Sequence, residues 1–102
     1  MNYLTESNFK EFIEASEKPV LVDFWAEWCA PCRMLGPIFE EMNETYGSEA
    51  VFAKVNIDEE SSLAIDHFVQ SIPTVLIFKD GKEAARLIGV QPKDEYVKYI
   101  TE

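Results

Sequence analysis

The run Val20-Leu-Val-Asp-Phe-Trp25 is apolar at five of six positions and rich in β-branched and aromatic side chains. A strand with one wet face alternates apolar and polar residues, whereas a run like this belongs to a strand buried on both faces. Helices must then cover both sides of the sheet. Phe9, Phe12 and Ile13 fall at i, i+3, i+4 after Thr5 to Ser7, which predicts a short amphipathic helix over roughly 6 to 16, ended at Lys18-Pro19. Leu35, Phe39, Met42 and Tyr46, with Glu40, Glu41 and Glu44 between them, predict a helix from about 31 to 46 stopped by Gly47. Pro37 falls inside it and should kink it.

Val51 to Ile57 reads as a second strand, and Leu63 to Phe68 as a short helix opened by the Asp58 to Ser62 cluster. Thr74-Val-Leu-Ile-Phe78 is a third strand, and Asp80-Gly81 is a two-residue hairpin turn leading into an antiparallel strand, Glu83 to Ile88. Gly89 breaks that strand. Pro92 suits the first turn of a last helix carrying Tyr96, Val97, Tyr99 and Ile100. The expected fold class is α/β, with a mixed central β-sheet, mostly parallel with an antiparallel C-terminal hairpin, flanked by about four helices. At this length residues 1–102 are expected to form a single domain.

Composition removes several function classes. With 47% apolar residues the chain is too hydrophobic for disorder. Nine Lys and Arg against 19 Asp and Glu, a net charge of -10, argue against sequence-independent nucleic-acid binding and against anionic membrane surfaces. No apolar stretch approaches the roughly 20 residues of a membrane span. Met1-Asn-Tyr-Leu-Thr-Glu6 has neither a basic leader nor a signal-type apolar core, so a cytoplasmic location is expected. Residues 34 to 66 hold eight acids and one base, whereas the segments Trp28 to Pro31, Ser71 to Thr74 and around Gly89 add no net charge. The surplus therefore reads as solubility, and recognition should rest on an apolar rim with modest salt dependence.

Trp28-Cys29-Ala30-Pro31-Cys32 stands where the buried strand hands over to the second helix. A cysteine at a helix N-terminus meets unpaired N–H groups and the positive end of the dipole, which stabilise thiolate, the nucleophilic form. Pro31 loses no needed hydrogen bond there and stiffens the turn. Cys32, one turn on and expected to be the more buried, can bridge back to Cys29. Such a bridge is a poor staple, worth about 2 kcal/mol in chain entropy against about 5 for a hundred-residue loop. It suits a two-step exchange: Cys29 attacks a substrate disulfide, then Cys32 attacks Cys29 and frees the reduced substrate. A structural zinc site normally takes four ligands, and Cys29, Cys32 and His67 make at most three. Two inert buried cysteines are the plain alternative.

Residues 20 to 37, from Val20 through Trp28-Cys29-Ala30-Pro31-Cys32 to Pro37, resemble the active-site segment of the thioredoxin family. The likeness continues through Lys54-Val-Asn-Ile-Asp58, Ser71-Ile-Pro-Thr74, Phe78-Lys-Asp-Gly81 and Gly89, over essentially the whole chain. Cys-x-x-Cys alone is moderately specific; Trp-Cys-x-Pro-Cys with Ile-Pro-Thr about 40 residues on is highly specific.

The resemblance implies roles that can be set beside plainer readings. Asp23 could be a carboxylate at a strand edge reaching water; by resemblance it lies behind Cys32 and moves its proton, and burial should raise its pKa. Lys54 could be an ordinary strand lysine; by resemblance its ammonium approaches and tunes Asp23. Trp28 could be core; by resemblance it flanks the cysteines and meets partners, together with Ala30, Pro31 and Gly89. Pro73 opens a strand, a normal place for proline; by resemblance its peptide bond is cis and presents the Ile72 backbone to an extended substrate segment. Trp25 is expected to be core and support for the site, and His67 a surface or half-buried residue. Two departures stand out. Most thioredoxins have Gly at the position of Ala30, which tunes redox poise, and His67-Phe68 differs from the family's aromatic-then-small pattern.

The implied function is that of a protein-disulfide reductase, an oxidoreductase of the electron-carrier type serving electron transport and cell redox homeostasis. No cofactor or metal is implied beyond the Cys29–Cys32 redox disulfide. No Gly-rich dinucleotide or flavin fingerprint is present, so electrons are expected from a thioredoxin reductase drawing on NADPH or ferredoxin. The implied substrates are disulfides of reductases, peroxidases and methionine-sulfoxide repair enzymes, met by a monomer. Two rivals are a disulfide oxidase or isomerase, separable by redox potential against glutathione, and a scaffold whose cysteines are incidental.

Overall fold

The computed structural model describes residues 1–101. In chain order the elements are β1 (Asn2–Tyr3), α1 (Phe9–Ala15), β2 (Val20–Trp25), α2 (Ala30–Tyr46), β3 (Val51–Asn56), α3 (Ser61–Asp66), β4 (Thr74–Lys79), β5 (Lys82–Ile88) and α4 (Lys93–Thr101). The strands form one sheet in the order β1-β3-β2-β4-β5. Alternation sorts the core. Val20, Val22, Phe24, Ala53, Val55, Leu76 and Phe78 face Phe9 and Ile13 of α1 and Leu63 of α3. Leu21, Phe52, Val75 and Ile77 face Leu35, Phe39 and Met42 of α2 and Tyr96 and Ile100 of α4. Strands β2 and β4 are therefore covered on both sides, as their unbroken apolar runs require.

The sheet is mixed, but not mostly parallel. Strand β3 pairs in parallel with β1 and β2, while β4 runs antiparallel to β2 as well as to β5. The reason is the length of α3. Its six residues rise about 9 Å, less than half the roughly 20 Å of a six-residue strand. The helix cannot carry the chain back to the start of β3, so β4 begins at the end where β2 and β3 finish. That end is also where α2 begins.

Other boundaries differ for local reasons. Strand β1 is two residues long, too short to show a period, and is extended by Leu4, whose N–H donates to the Lys54 carbonyl at 2.9 Å. Helix α1 starts at Phe9 rather than near residue 6 because residues 5–8 close a turn, with the Thr5 N–H donating to Asn8 Oδ1 at 2.8 Å. Helix α2 runs unbroken through Pro37 to the expected stop at Gly47. Gly47 has φ -62°, so left-handed freedom is not its role; a β-carbon there would lie 2.6 Å from the Asn43 carbonyl oxygen. Pro92 precedes α4 rather than lying in its first turn, and its carbonyl accepts the Glu95 N–H.

In the β4–β5 hairpin both turn residues have positive φ, 54° at Asp80 and 79° at Gly81, the signature of a type I′ turn. A β-carbon on Gly81 would meet only Glu14 Cγ at 3.9 Å, so space is free and only the backbone conformation resists. Gly81→Ala is expected to lower unfolding stability by about 1 kcal/mol, read from urea denaturation midpoints at unchanged m-value.

Candidate active site

After the last residue of β2 the chain turns through residues 26–28 and enters α2, with Cys29 as its N-cap (φ -90°, ψ 110°). The first-turn N–H of Cys32 donates to Cys29 Sγ at 3.2 Å. A capping oxygen would normally occupy that place; a sulfur there gains the same donor and the dipole behind it, both of which favour a thiolate once the pair is reduced. Cys29 and Cys32 are joined as a disulfide, their Cα atoms 5.2 Å apart. In this state the expected difference in burial is slight, with exposures of 5% and 3%. The two sulfurs pack with Ala26, against Trp25, Ile57 and Ile72.

The opposite wall comes from the start of β4. The Ile72–Pro73 peptide bond is cis, and the Ile72 carbonyl oxygen lies 3.8 Å from Cys29 Sγ. Pro73 is buried and Ile72 half-buried. The Gly89 N–H donates to the Pro73 carbonyl at 2.8 Å, and Gly89 holds φ 78°, a conformation suited to glycine. The segments around Cys29, Ile72 and Gly89 thus meet at one edge of the molecule. Ala30 and Pro31 are exposed beside them.

Asp23 lies in β2 on the α2 face, between Leu21 and Trp25, and is fully buried. Neither carboxylate oxygen has a hydrogen-bond partner among the described residues. Burial raises its pKa from 3.8 to about 7, and the nearby Lys54 charge offsets part of that rise. Lys54 is the register partner of Asp23 on β3 and so shares its face of the sheet. The two form no ion pair within 4 Å; instead the Lys54 ammonium sits 4.5 Å above the Trp25 ring, held by cation–π attraction. Trp25 is half-buried support for the lysine.

Trp28 is 66% exposed, so it is rim and not core. Its Nε1 donates to Asp58 Oδ2 at 2.8 Å. Asp58, in the turn just after β3, has no signal of its own in the sequence beyond lying in a matching segment. Glu27, Trp28, Asn56, Asp58 and Glu59 line a cleft of about 460 Å³. The rim is therefore apolar on the Ile72 side and acidic on the Trp28 side, where local segment charges had suggested neutrality. Arg33, one turn into α2, closes the loop by donating to the Glu27 carbonyl at 2.7 Å.

His67 belongs elsewhere. It caps α3 and stacks among Phe9, Phe24 and Phe78, its ring 4.7 Å from that of Phe9, on the sheet face opposite α2. Burial lowers its pKa. A cavity of about 320 Å³ lies beside it, floored by Phe9, Ile13, Leu63 and Phe78. Among the described residues no group of three His, Cys, Asp or Glu could hold a metal ion, and no helix is long and apolar enough to cross a membrane.

Comparison with known proteins places this arrangement. The family model described as Thioredoxin matches residues 1–102. The chain is 46% identical over 98 residues to the thioredoxin of Chlorobaculum thiosulfatiphilum, covering 96% of this chain and 91% of that one. It is 46% identical over 92 residues to the thioredoxin of Alicyclobacillus acidocaldarius subsp. acidocaldarius, covering 90% and 87%. Against the M-type chloroplastic thioredoxin of Spinacia oleracea, identity is 40% over 102 residues, 96% of this chain and 56% of the longer protein.

Proposed function

The chain belongs to the thioredoxin family, and from that premise we propose how its residues divide the work of thiol–disulfide exchange. It is a protein-disulfide oxidoreductase whose redox centre is the Cys29–Cys32 pair, and like its family it carries no cofactor. The observation that carries the assignment is the Cys32 N–H donating to Cys29 Sγ at the N-cap of α2. In the reduced protein Cys29 is the thiolate. It attacks one sulfur of a partner disulfide, forming a mixed disulfide and expelling the other sulfur as a thiolate that takes up a proton. Asp23, buried on the α2 side of β2, accepts the Cys32 proton. Cys32 then attacks Cys29 Sγ, closing the intramolecular disulfide and releasing the second partner thiol. Two electrons pass to the partner.

Lys54 keeps the Asp23 pKa from rising further, which holds it near neutrality where a base works best. Trp28, Ala30, Pro31, Ile72, cis-Pro73 and Gly89 form the docking rim, with the Ile72 backbone offered to an extended partner segment in the manner of strand addition. Residues 1–102 act as one monomeric domain in the cytoplasm. The family acts with thioredoxin reductase and disulfide substrates in general; for this chain the reductase draws on NADPH or ferredoxin, and the targets include reductases, peroxidases and methionine-sulfoxide repair enzymes.

The assignment of attacker and resolver is tested by Cys32→Ser. Reduced variant mixed with insulin should accumulate a covalent adduct through Cys29, seen by mass spectrometry and lost on adding dithiothreitol. Absence of the adduct, or an equal yield from a Cys29→Ser, Cys32→Ser double variant, removes Cys29 from the attacking role.

A further inference from the structure

Phe68 puts a large exposed ring at a backbone position that usually takes glycine. Its φ is +57° and it is 77% exposed. The left-handed turn is the ordinary end of α3: the Phe68 N–H donates to the Ile65 carbonyl at 3.1 Å and the Val69 N–H to the Ala64 carbonyl at 2.9 Å, a motif whose left-handed residue is usually glycine. A phenylalanine is what that place does not favour, and an exposed ring gains nothing from burial. The conformation is nevertheless held firmly. Arg86 Nη1 donates to the Phe68 carbonyl at 2.9 Å and Nη2 to the His67 carbonyl at 2.6 Å. Arg86 is itself gripped by Glu83, with Nε and Nη2 each 3.0 Å from a carboxylate oxygen. An exposed ring fastened at a position that suits glycine points to use beyond the fold.

The position is continuous with the docking rim. Arg86 and Ile88 lie on the same face of β5, in register with Leu76 and Thr74 of β4. Ile88 is 55% exposed and stands opposite the residue that follows Pro73. Phe68 is therefore fastened, through Arg86, to the face of β5 that carries Ile88 beside the start of β4.

We propose that Phe68 is a specificity-determining residue that receives an aliphatic or aromatic side chain from the segment of a disulfide-bearing partner protein lying along Ile72–Pro73. The occupant is apolar because the exposed side chains it would meet, Phe68 and Ile88, are apolar, and the basic group there, Arg86, is already engaged by Glu83 and two carbonyls. The proposal rests on the exchange role given to Cys29, so its test carries an arm for that role.

The probes are peptides of one length whose single cysteine is a mixed disulfide with nitrothiobenzoate, with leucine or serine placed in turn within four residues of the cysteine. Single-turnover rates with reduced protein should show a preference of about tenfold for leucine at one placement, the scale of a modest apolar contact. Phe68→Asn keeps a residue tolerant of left-handed backbone. It should shrink that preference to within twofold while leaving the all-serine peptide and a small aromatic disulfide unchanged; Phe68→Leu should retain the preference. A preference that survives Phe68→Asn, or a loss shared by every peptide, overturns the proposal. So does wild-type protein that sediments as a dimer and becomes monomeric in the variant with unchanged kinetics, because the occupant is then a second copy. Failure of wild type on the small disulfide instead overturns the exchange role of Cys29.

Discussion

Cys29→Ser is expected to reduce disulfide reduction by about four orders of magnitude or more, the scale on which removal of a covalent nucleophile acts. A serine hydroxyl is not ionised near neutral pH and cannot enter thiol–disulfide exchange, so no partial route remains. The fold should hardly notice. Cys29 is the N-cap of α2 and its sulfur accepts the Cys32 N–H, and serine is among the preferred N-cap residues. The substitution therefore removes the chemistry and keeps the helix start. The disulfide it deletes spans three residues and contributes only about 2 kcal/mol by chain entropy. Insulin turbidity in dithiothreitol measures the first effect, and far-ultraviolet circular dichroism with thermal melting checks the second. Retention of activity within tenfold of wild type, with the fold intact, would make the cysteines incidental and favour the scaffold reading.

The second large effect is at Asp23, where stability and activity should move in opposite directions. Its pKa is about 7 in the folded protein against 3.8 for the ordinary group. Below pH 4 both folded and unfolded chains hold the proton and the residue is neutral in effect. As pH rises from 4 to 7 the unfolded chain releases the proton while the folded chain retains it, so stability falls, and the loss levels off above 7. At about 1.4 kcal/mol per pKa unit the full penalty is roughly 4 kcal/mol. Asp23→Asn removes the ionisation, and its stability should lose that slope between pH 4 and 7. It should exceed wild type at pH 8 by several kcal/mol, less what the buried amide itself costs. The same change should slow closure by Cys32 about a hundredfold and erase the inflection near pH 7 in its rate, as expected on losing a general base. Urea melts across pH and stopped-flow tryptophan fluorescence measure the two. A variant no more stable than wild type at pH 8 would show that Asp23 is not buried as a costly carboxylate. Unchanged closure would take it out of the proton path.

Much of this was legible from residue pattern. The run Val20–Trp25 announced a strand covered on both faces, Thr74–Phe78 a third apolar strand, and Asp80-Gly81 its hairpin. The position of Cys29 at a helix start followed from the strand-to-helix handover alone. What the sequence could not carry was set by distance and length. The direction of β4 depends on α3 being too short to recross the sheet. The place of Lys54 over Trp25, and the bond from Trp28 to Asp58, join residues about 30 apart through tertiary packing. Strand β1 is too short for any periodicity to register. Phe68 was visible only as a departure from a familiar pattern; the exposure of its ring and its fastening by Arg86 are what give the departure meaning.

The short α3 has one more effect. By delivering β4 to the cysteine end, it makes the centre a composite of two stretches separated by 43 residues along the chain, brought side by side by the pairing of β2 with β4. During synthesis both thiols emerge long before Pro73 does. A nascent or truncated chain lacking β4 holds the cysteines without the Ile72 carbonyl beside Cys29 and without the docking rim proposed above. Competence is thus a late event, conferred by the central strand pair, and loss of function in damaged chains can precede any change at Cys29 or Cys32.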